Sequence, residues 1–287
     1  MPNGASACVF LISSFALRAS SGLQVSHFGF TLMELDFYTW FLVFARLGAF
    51  LLVLPFFSAV NFPAMLRVAM VALASLLLAP LLPPLAFSHL DLLDLFGLLA
   101  REIAIGLLFG FFARMIFFAA DISGMIISNE LGLSMGSLMD PSSRQPEQVP
   151  GLILSFLAII TMLSLDLHHG LLLGFARSFD VLPLGGGHLS SPLFELMVHR
   201  TGQIFVIALQ IAAPVMAVSF CITIFFSVMS RAVPQMNVFA ESFGIRIAGG
   251  LVVLGFTLQI AAQHIANELG RLPDDLLAFG QLLGGAQ

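Results

Sequence analysis

The 287-residue chain contains no lysine; all eleven of its basic residues are arginine. It has a single tryptophan, Trp40, and a single tyrosine, Tyr38, beside thirty phenylalanines. Charged residues make up 9% of it, against about 25% in an ordinary soluble domain. Each shortage excludes something. So little charge leaves no solvated surface for a free soluble domain. A net charge of -5 excludes a generic case for nucleic acid binding. Two cysteines, Cys8 and Cys221, exclude a disulfide framework and a cysteine-only metal centre. The near-absence of Trp and Tyr removes the aromatic belt with which lipid-embedded proteins anchor at the membrane interfaces. Arginine, unlike lysine, suits partial burial and bidentate pairing. With 59% hydrophobic residues, the composition describes an integral membrane or membrane-complex protein that packs much of its apolar surface on protein.

The apolar pattern predicts an all-α, multi-helix fold. Six hydrophobic segments run near Phe37–Pro55, Ala64–Leu82, Leu95–Phe118, Val149–Leu173, Gln203–Val228 and Ile245–Ala262. At roughly 27 to 39 Å of helix each, they match a bilayer core of about 30 Å. Pro55, Pro63, Pro83-Pro84, Pro141, Pro146 and Pro150 mark segment ends, because proline lacks an N–H and disfavours helix in its predecessor. Pro214 falls inside the fifth segment and predicts a kink. Residues 1–32 differ in character and are expected to be a disordered extension or a misassigned start. Residues 33–270 are then one domain, and 271–287 a C-terminal tail. Arginines of loops and helix ends balance across the two sides, so the positive-inside rule assigns no orientation. That failure points to partner subunits as what sets the final position.

Charges inside the apolar segments carry the next expectations. Arg46 lies at the centre of the first segment, where insertion costs about 2.5–3.5 kcal/mol. It must face protein or water, either as an inter-subunit anchor or in an intrachain pair with Asp121 or Glu130. Arg101 and Arg114 flank the third segment and leave only Ile103–Ala113 uninterrupted, too short for a bilayer; they too are expected as buried inter-helix or inter-subunit charges. Gly106 and Gly110 form a GxxxG pair, a surface for close helix approach, and Gly132 and Gly136 repeat the spacing. Asp166, His168 and His169 interrupt the fourth segment. Adjacent histidines on one helix point about 100° apart, so no metal is assigned to them and a polar helix end or hydrogen-bonded turn is expected. Gly185-Gly186-Gly187 reads as a hinge. No serine stands in a nucleophile elbow, so no enzymatic activity or cofactor is assigned.

The stretch Glu130-Leu-Gly-Leu-Ser-Met-Gly-Ser-Leu-Met-Asp-Pro141 is soft and nearly uncharged, yet too rich in glycine and serine for a lipid-facing span. Irregular backbone at membrane depth survives only when buried in protein or lining a cavity, so the segment points to an internal passage. A self-contained transporter or channel, with Arg46, Glu130 and Asp166 as pathway charges, is the rival class. It lacks the internal repeat and orientation signal that transporters usually carry.

At particular residues the chain resembles a known family. Gly132-Leu-Ser-Met135, Asp140-Pro141, Leu165-Asp-Leu-His-His169, Ser178-Phe179, Leu182-Pro183 and above all Pro234-Gln235-Met236-Asn237-Val238-Phe239 look like FliR, the flagellar type III export-gate family that includes the injectisome subunits. The resemblance covers roughly Asp36 to Ala262. Two departures stand out: Asp166-Leu167 where the family usually has Asn-Gly, and Ser242-Phe243-Gly244-Ile245-Arg246 where it commonly has Gly-Phe-Pro-Leu-Lys. The resemblance implies a single-copy subunit, built of broken helical hairpins, that completes an export channel with FliP-like and FliQ-like subunits. It also implies contact with an FlhB-like switch protein, passage of unfolded export substrates, and a place in the bacterial inner membrane at the flagellar basal body. The virulence-type injectisome is the alternative setting. The family's plug loop matches Glu130 to Gln145. There Leu131, Leu133, Met135, Leu138 and Met139 are apolar and flexible enough to seal a pore. Gly132, Gly136, Ser134 and Ser137 let the backbone bend aside, and Asp140 and Pro141 bound the loop.

Overall fold

A computed structural model describes residues 37–58, 63–83, 92–133, 149–187, 191–232 and 238–285. The described residues hold helices and no strand. In chain order they are α1 (Phe37–Val53), the single turn α2 (Pro55–Ser58), α3 (Ala64–Leu78), a 3-10 turn (Ala79–Leu81), α4 (Leu92–Leu131), α5 (Val149–Ser164), α6 (Leu167–Val181), α7 (Ser191–Ala232) and α8 (Val238–Gly284). Four are long and apolar enough to cross a membrane, and α5 with α6, bent by 74° at their junction, make a fifth if taken as one broken span. The chain divides into two compact units: residues 1–110 with 175–188, and residues 111–174 with 189–287.

In the first unit, α1 buries Thr39, Leu42, Val43, Arg46, Leu47 and Phe50, spaced three and four apart as one helix face requires. Against that face lies the first half of α4, where the GxxxG pair does what its spacing predicts. A Cβ on Gly106 would stand 2.2 Å from the carbonyl oxygen of Arg46, and one on Gly110 would stand 2.8 Å from that of Phe50. No other residue type lets the two backbones approach so closely. The start of α6 within this unit adds Phe175, stacked on Phe50 at 4.5 Å and edge-on to Phe109. Proline sets the ends of α3 as expected: Pro63 precedes it, and Leu82, extended at φ -99° and ψ 148°, precedes Pro83.

In the second unit, α7 and α8 form a long antiparallel pair. Arg200 meets Asp275, Gln210 meets His264, and Thr223 meets Arg246, so residue numbers rise on one helix as they fall on the other. The second half of α4 lies along this pair, with Phe112 stacked on Phe279 at 5.0 Å and Leu131 reaching Gly250. In α6, Gly170 and Gly174 face Pro273, and a Cβ on either would stand 3.1 and 3.3 Å from that proline's atoms.

Three helices outrun their expected lengths. Helix α4 continues past Phe118 to Leu131 because its polar residues are absorbed within the fold. The Asp121 carboxylate accepts from Ser155 Oγ of α5, and Ser123 Oγ donates to the Ala120 carbonyl. Helix α7 starts twelve residues before Gln203, since Arg200 is paired across helices rather than placed in a loop. Helix α8 runs through residues 271–284, where Leu276 and Phe279 are fully buried, and α7 is continuous past Pro214. The fourth segment, by contrast, breaks. Leu165 and Asp166 interrupt it, and Asp166 takes a left-handed φ of 54°.

Candidate functional site

Within the first unit, charge is concentrated around Arg46. Its Nε donates to the Glu102 carboxylate, and both side chains are completely buried. Its Nη1 donates to the Leu182 carbonyl at 2.9 Å, and the guanidinium carbon lies 4.4 Å from the centre of the Phe179 ring. The second oxygen of Glu102 accepts the Gly185 amide at 2.8 Å. Arg101 Nη1 donates to the Gly185 carbonyl, also at 2.8 Å. The run Gly185–Gly187, expected as a hinge, is therefore a turn tied at both its amide and its carbonyl. Gly185 is required there: its φ is 76°, and a Cβ would stand 2.9 Å from Leu98. Arg46 pairs with Glu102, an acid the sequence reading did not consider, rather than with Asp121 or Glu130. Arg101 lies on the exposed side of α4, because neighbours on a helix point about 100° apart and Glu102 takes the buried position. Arg114 is half-buried over the Phe118 ring at 5.0 Å.

In the second unit the segment singled out as a pore plug leaves α4 from a fixed point. Leu131 is fully buried, and a Cβ on Gly250 would stand 2.0 Å from its Cδ2. The Glu130 carbonyl, one of the last four in the helix and so without an intrahelical donor, accepts from Ser219 Oγ at 3.1 Å. Gly132 follows at φ 72°, the left-handed residue that commonly ends a helix, with its amide on the Asn129 carbonyl at 3.0 Å. A Cβ there would stand 2.4 Å from the Phe243 ring. The far end is equally fixed, since a Cβ on Gly124 of α4 would stand 2.1 Å from the Cα of Gly151 at the start of α5. Pro150 sits in the first turn of α5, where a missing N–H costs nothing. Ser134, Met135, Gly136, Ser137, Leu138, Met139, Asp140 and Pro141 lie outside the described residues, as do Pro234, Gln235, Met236 and Asn237. Val238 and Phe239 belong to the first turn of α8.

The junction of α5 and α6 brings together Asp166, His168 and His169. Leu165 and Asp166 amides bond back to the Thr161 and Leu163 carbonyls, and the His169 amide to the Asp166 carbonyl. The expected hydrogen-bonded turn is thus present. The argument against a shared ligand geometry held for two histidines on an unbroken helix. The break returns a carboxylate to them, and one ligand atom from each of Asp166, His168 and His169 lies within 4.8 Å of the others. His169 Nδ1 stands 3.7 Å from Asp166 Oδ1, and the two imidazole centres are 4.1 Å apart. The three are the group of His, Cys, Asp and Glu among the described residues that is arranged to hold a metal ion.

Residues 37–272 match the family described as Bacterial export proteins, family 1. The flagellar biosynthetic protein FliR of Pectobacterium carotovorum is 28% identical over 239 residues, covering 82% of this chain and 90% of that protein. The FliR protein of Bacillus subtilis is 29% identical over 232 residues, covering 79% and 88%. The Yop proteins translocation protein T of Yersinia pestis is 27% identical over 233 residues, covering 80% and 89%.

Proposed function

The chain belongs to family 1 of the bacterial export proteins, and from that membership we propose that it is a structural and gating subunit of the flagellar protein-export apparatus. It works in the bacterial inner membrane, as one part of a complex with FliP-like and FliQ-like subunits and in contact with an FlhB-like switch protein. The observation that carries this is the family match across residues 37–272, to which flagellar relatives of near-equal length add the setting. The chain supplies position and a seal rather than a reaction.

The lengths of the helices support the partnership. At 1.5 Å per residue, α7 and α8 extend about 63 and 70 Å, twice a hydrocarbon core of about 30 Å. Exposed apolar side chains run along α7 from Phe194 to Val228, about 51 Å of helix. Lipid tails cannot cover that whole length, so apolar surface of other protein chains must take the remainder. Burial of the most apolar window is 61% for α4 and 17% for both α3 and α8. On this reading α4 is the internal post, and α3 and α8 are faces awaiting neighbours.

The plug reading draws support from the two fixed ends. A segment that must move aside for a passing chain needs a firm base, and Gly132 and Gly151 supply one at each end. Leu133, Met135, Leu138 and Met139 then form the seal, with Gly136, Ser134 and Ser137 as the pliant positions. Leu131, expected in the seal, is fully buried against Gly250, and Gly132, expected to be pliant, closes the helix against Phe243, so both belong to the base. The test is co-purification of the tagged chain from membranes in mild detergent, followed by mass spectrometry. Recovery with FliP-like and FliQ-like chains is expected; recovery alone or as a homo-oligomer from intact membranes would sink the proposal in favour of a self-contained transporter.

A further inference from the structure

We propose that Asp166, His168 and His169 form a binding site for one divalent late first-row transition-metal ion of the zinc class. Nothing in an export-gate role calls for such an ion, and the inference stands on the geometry of the α5–α6 junction alone.

The donor set is specific. Two imidazoles and one carboxylate suit zinc, nickel, cobalt or copper, whereas magnesium and calcium take oxygen ligands almost alone. Three residues drawn from one turn occupy adjacent positions around an ion and leave the remaining positions to water or to another donor, the pattern of an open site. The distances are close to those required. Ligand atoms bound to one ion at about 2.1 Å can be no more than about 4.2 Å apart, and the three here lie within 4.8 Å. Closing that gap takes a rotation of Asp166 and His169, whose side chains are 64% and 61% exposed and free to turn. The same exposure gives an aqueous ion its entry.

The backbone is consistent with a site rather than a passing contact. Asp166 is the described non-glycine residue with positive φ, a conformation that L-residues adopt at a cost and that Asp and Asn tolerate best. That conformation turns the carboxylate back toward the first turn of α6. Nδ1 of His168 is buried and has no hydrogen-bond partner among the described residues, so none of them fixes the tautomer of this ring from that side. An ion would settle it by binding one nitrogen and leaving the proton on the other. The start of α6 carries the positive end of a helix dipole, which opposes a cation, and the negative charge of Asp166 offsets it. A bound ion would tie the residue at the bend to the helix that follows, fixing the 74° angle between α5 and α6.

The test uses the full chain, purified in detergent by a tag without histidine and stripped with a chelator. Zinc is titrated against a chromophoric chelator, and cobalt is followed by its visible absorption. One zinc per chain is expected, with cobalt bands of nitrogen and oxygen coordination. His168→Gln, His169→Gln and Asp166→Asn should each weaken binding by more than the 10- to 100-fold typical of losing a supporting hydrogen bond to a ligand. His199→Gln, on α7, should leave it unchanged. Asp166→Asn keeps a residue that accepts the left-handed backbone, so its loss of binding cannot be put down to misfolding if thermal unfolding without metal is unaltered. Absence of saturable zinc binding, or equal binding by the His168→Gln/His169→Gln double variant, would overturn the proposal.

Discussion

Arg46 and Glu102, fifty-six residues apart in sequence, form an ion pair in which neither side chain is reached by solvent. The pair joins α1 to α4, and its remaining hydrogen bonds bind the turn after α6.

Truncating one partner leaves the other charge buried and alone, which costs about 3–5 kcal/mol. Arg46→Ala and Glu102→Ala should therefore each lower the amount of assembled complex. The double variant Arg46→Met/Glu102→Leu should recover much of the loss, because it buries no unpaired charge. Assembled yield on native gels decides the matter. Normal yield with altered conductance in Arg46→Ala would place the residue on the passage instead.

Two glycines in helices should respond in opposite directions. Gly106→Ala drives a Cβ to within 2.2 Å of a backbone oxygen, and such overpacking costs about 1–3 kcal/mol. Gly202→Ala meets nothing within 4 Å, and alanine in a helix interior gains about 0.5–1 kcal/mol over glycine. Thermal unfolding of the purified chain in detergent should separate them by sign. A destabilised Gly202→Ala would mean that this face of α7 is covered.

Deleting Leu133–Leu138 should leave assembly intact and make cells leak small ions, since the apolar segment assigned to the seal is gone. Membrane potential measured with a fluorescent dye reads this directly. A tight membrane in cells with assembled complex removes the seal from these residues.

Gly132→Ala should disturb the same loop at its base, for two separable reasons: an L-residue at φ 72° and a Cβ 2.4 Å from the Phe243 ring. The left-handed conformation alone costs roughly 1–2 kcal/mol. Adding Phe243→Ala should relieve the collision and leave the backbone cost, giving partial recovery of stability. Full recovery would show that the conformation at Gly132 is not required.

What the sequence disclosed followed from local chemistry. Proline placed the ends of α3, and the GxxxG spacing of Gly106 and Gly110 announced a close helix contact on α4 without naming α1 as the partner. The position of Arg46 at the centre of an apolar segment required a buried partner. Its identity was hidden because Glu102 stands beside Arg101, and only the rotation of α4 decides which of the two faces inward. Helix lengths were underestimated at Asp121 and Arg200 for a related reason: a polar residue reads as an end when its partner lies on another helix. Gly170 and Gly174 carried the same spacing signal as Gly106 and Gly110 and were passed over, although both face Pro273 closely. The closeness of Asp166 to His168 and His169 was not legible, because the 100° rule for adjacent helical residues takes no account of a carboxylate turned back at a bend.

The order of synthesis gives the Arg46 pair a last consequence. Arg46 leaves the ribosome well before Glu102 exists, and the Leu182 carbonyl follows 136 residues after Arg46. Until Glu102 follows, 56 residues later, α1 carries an uncompensated cation at its centre, a poor candidate for release into lipid. Helix α1 must wait, held at the insertion machinery or at the membrane surface, until the chain's later sequence arrives to receive it.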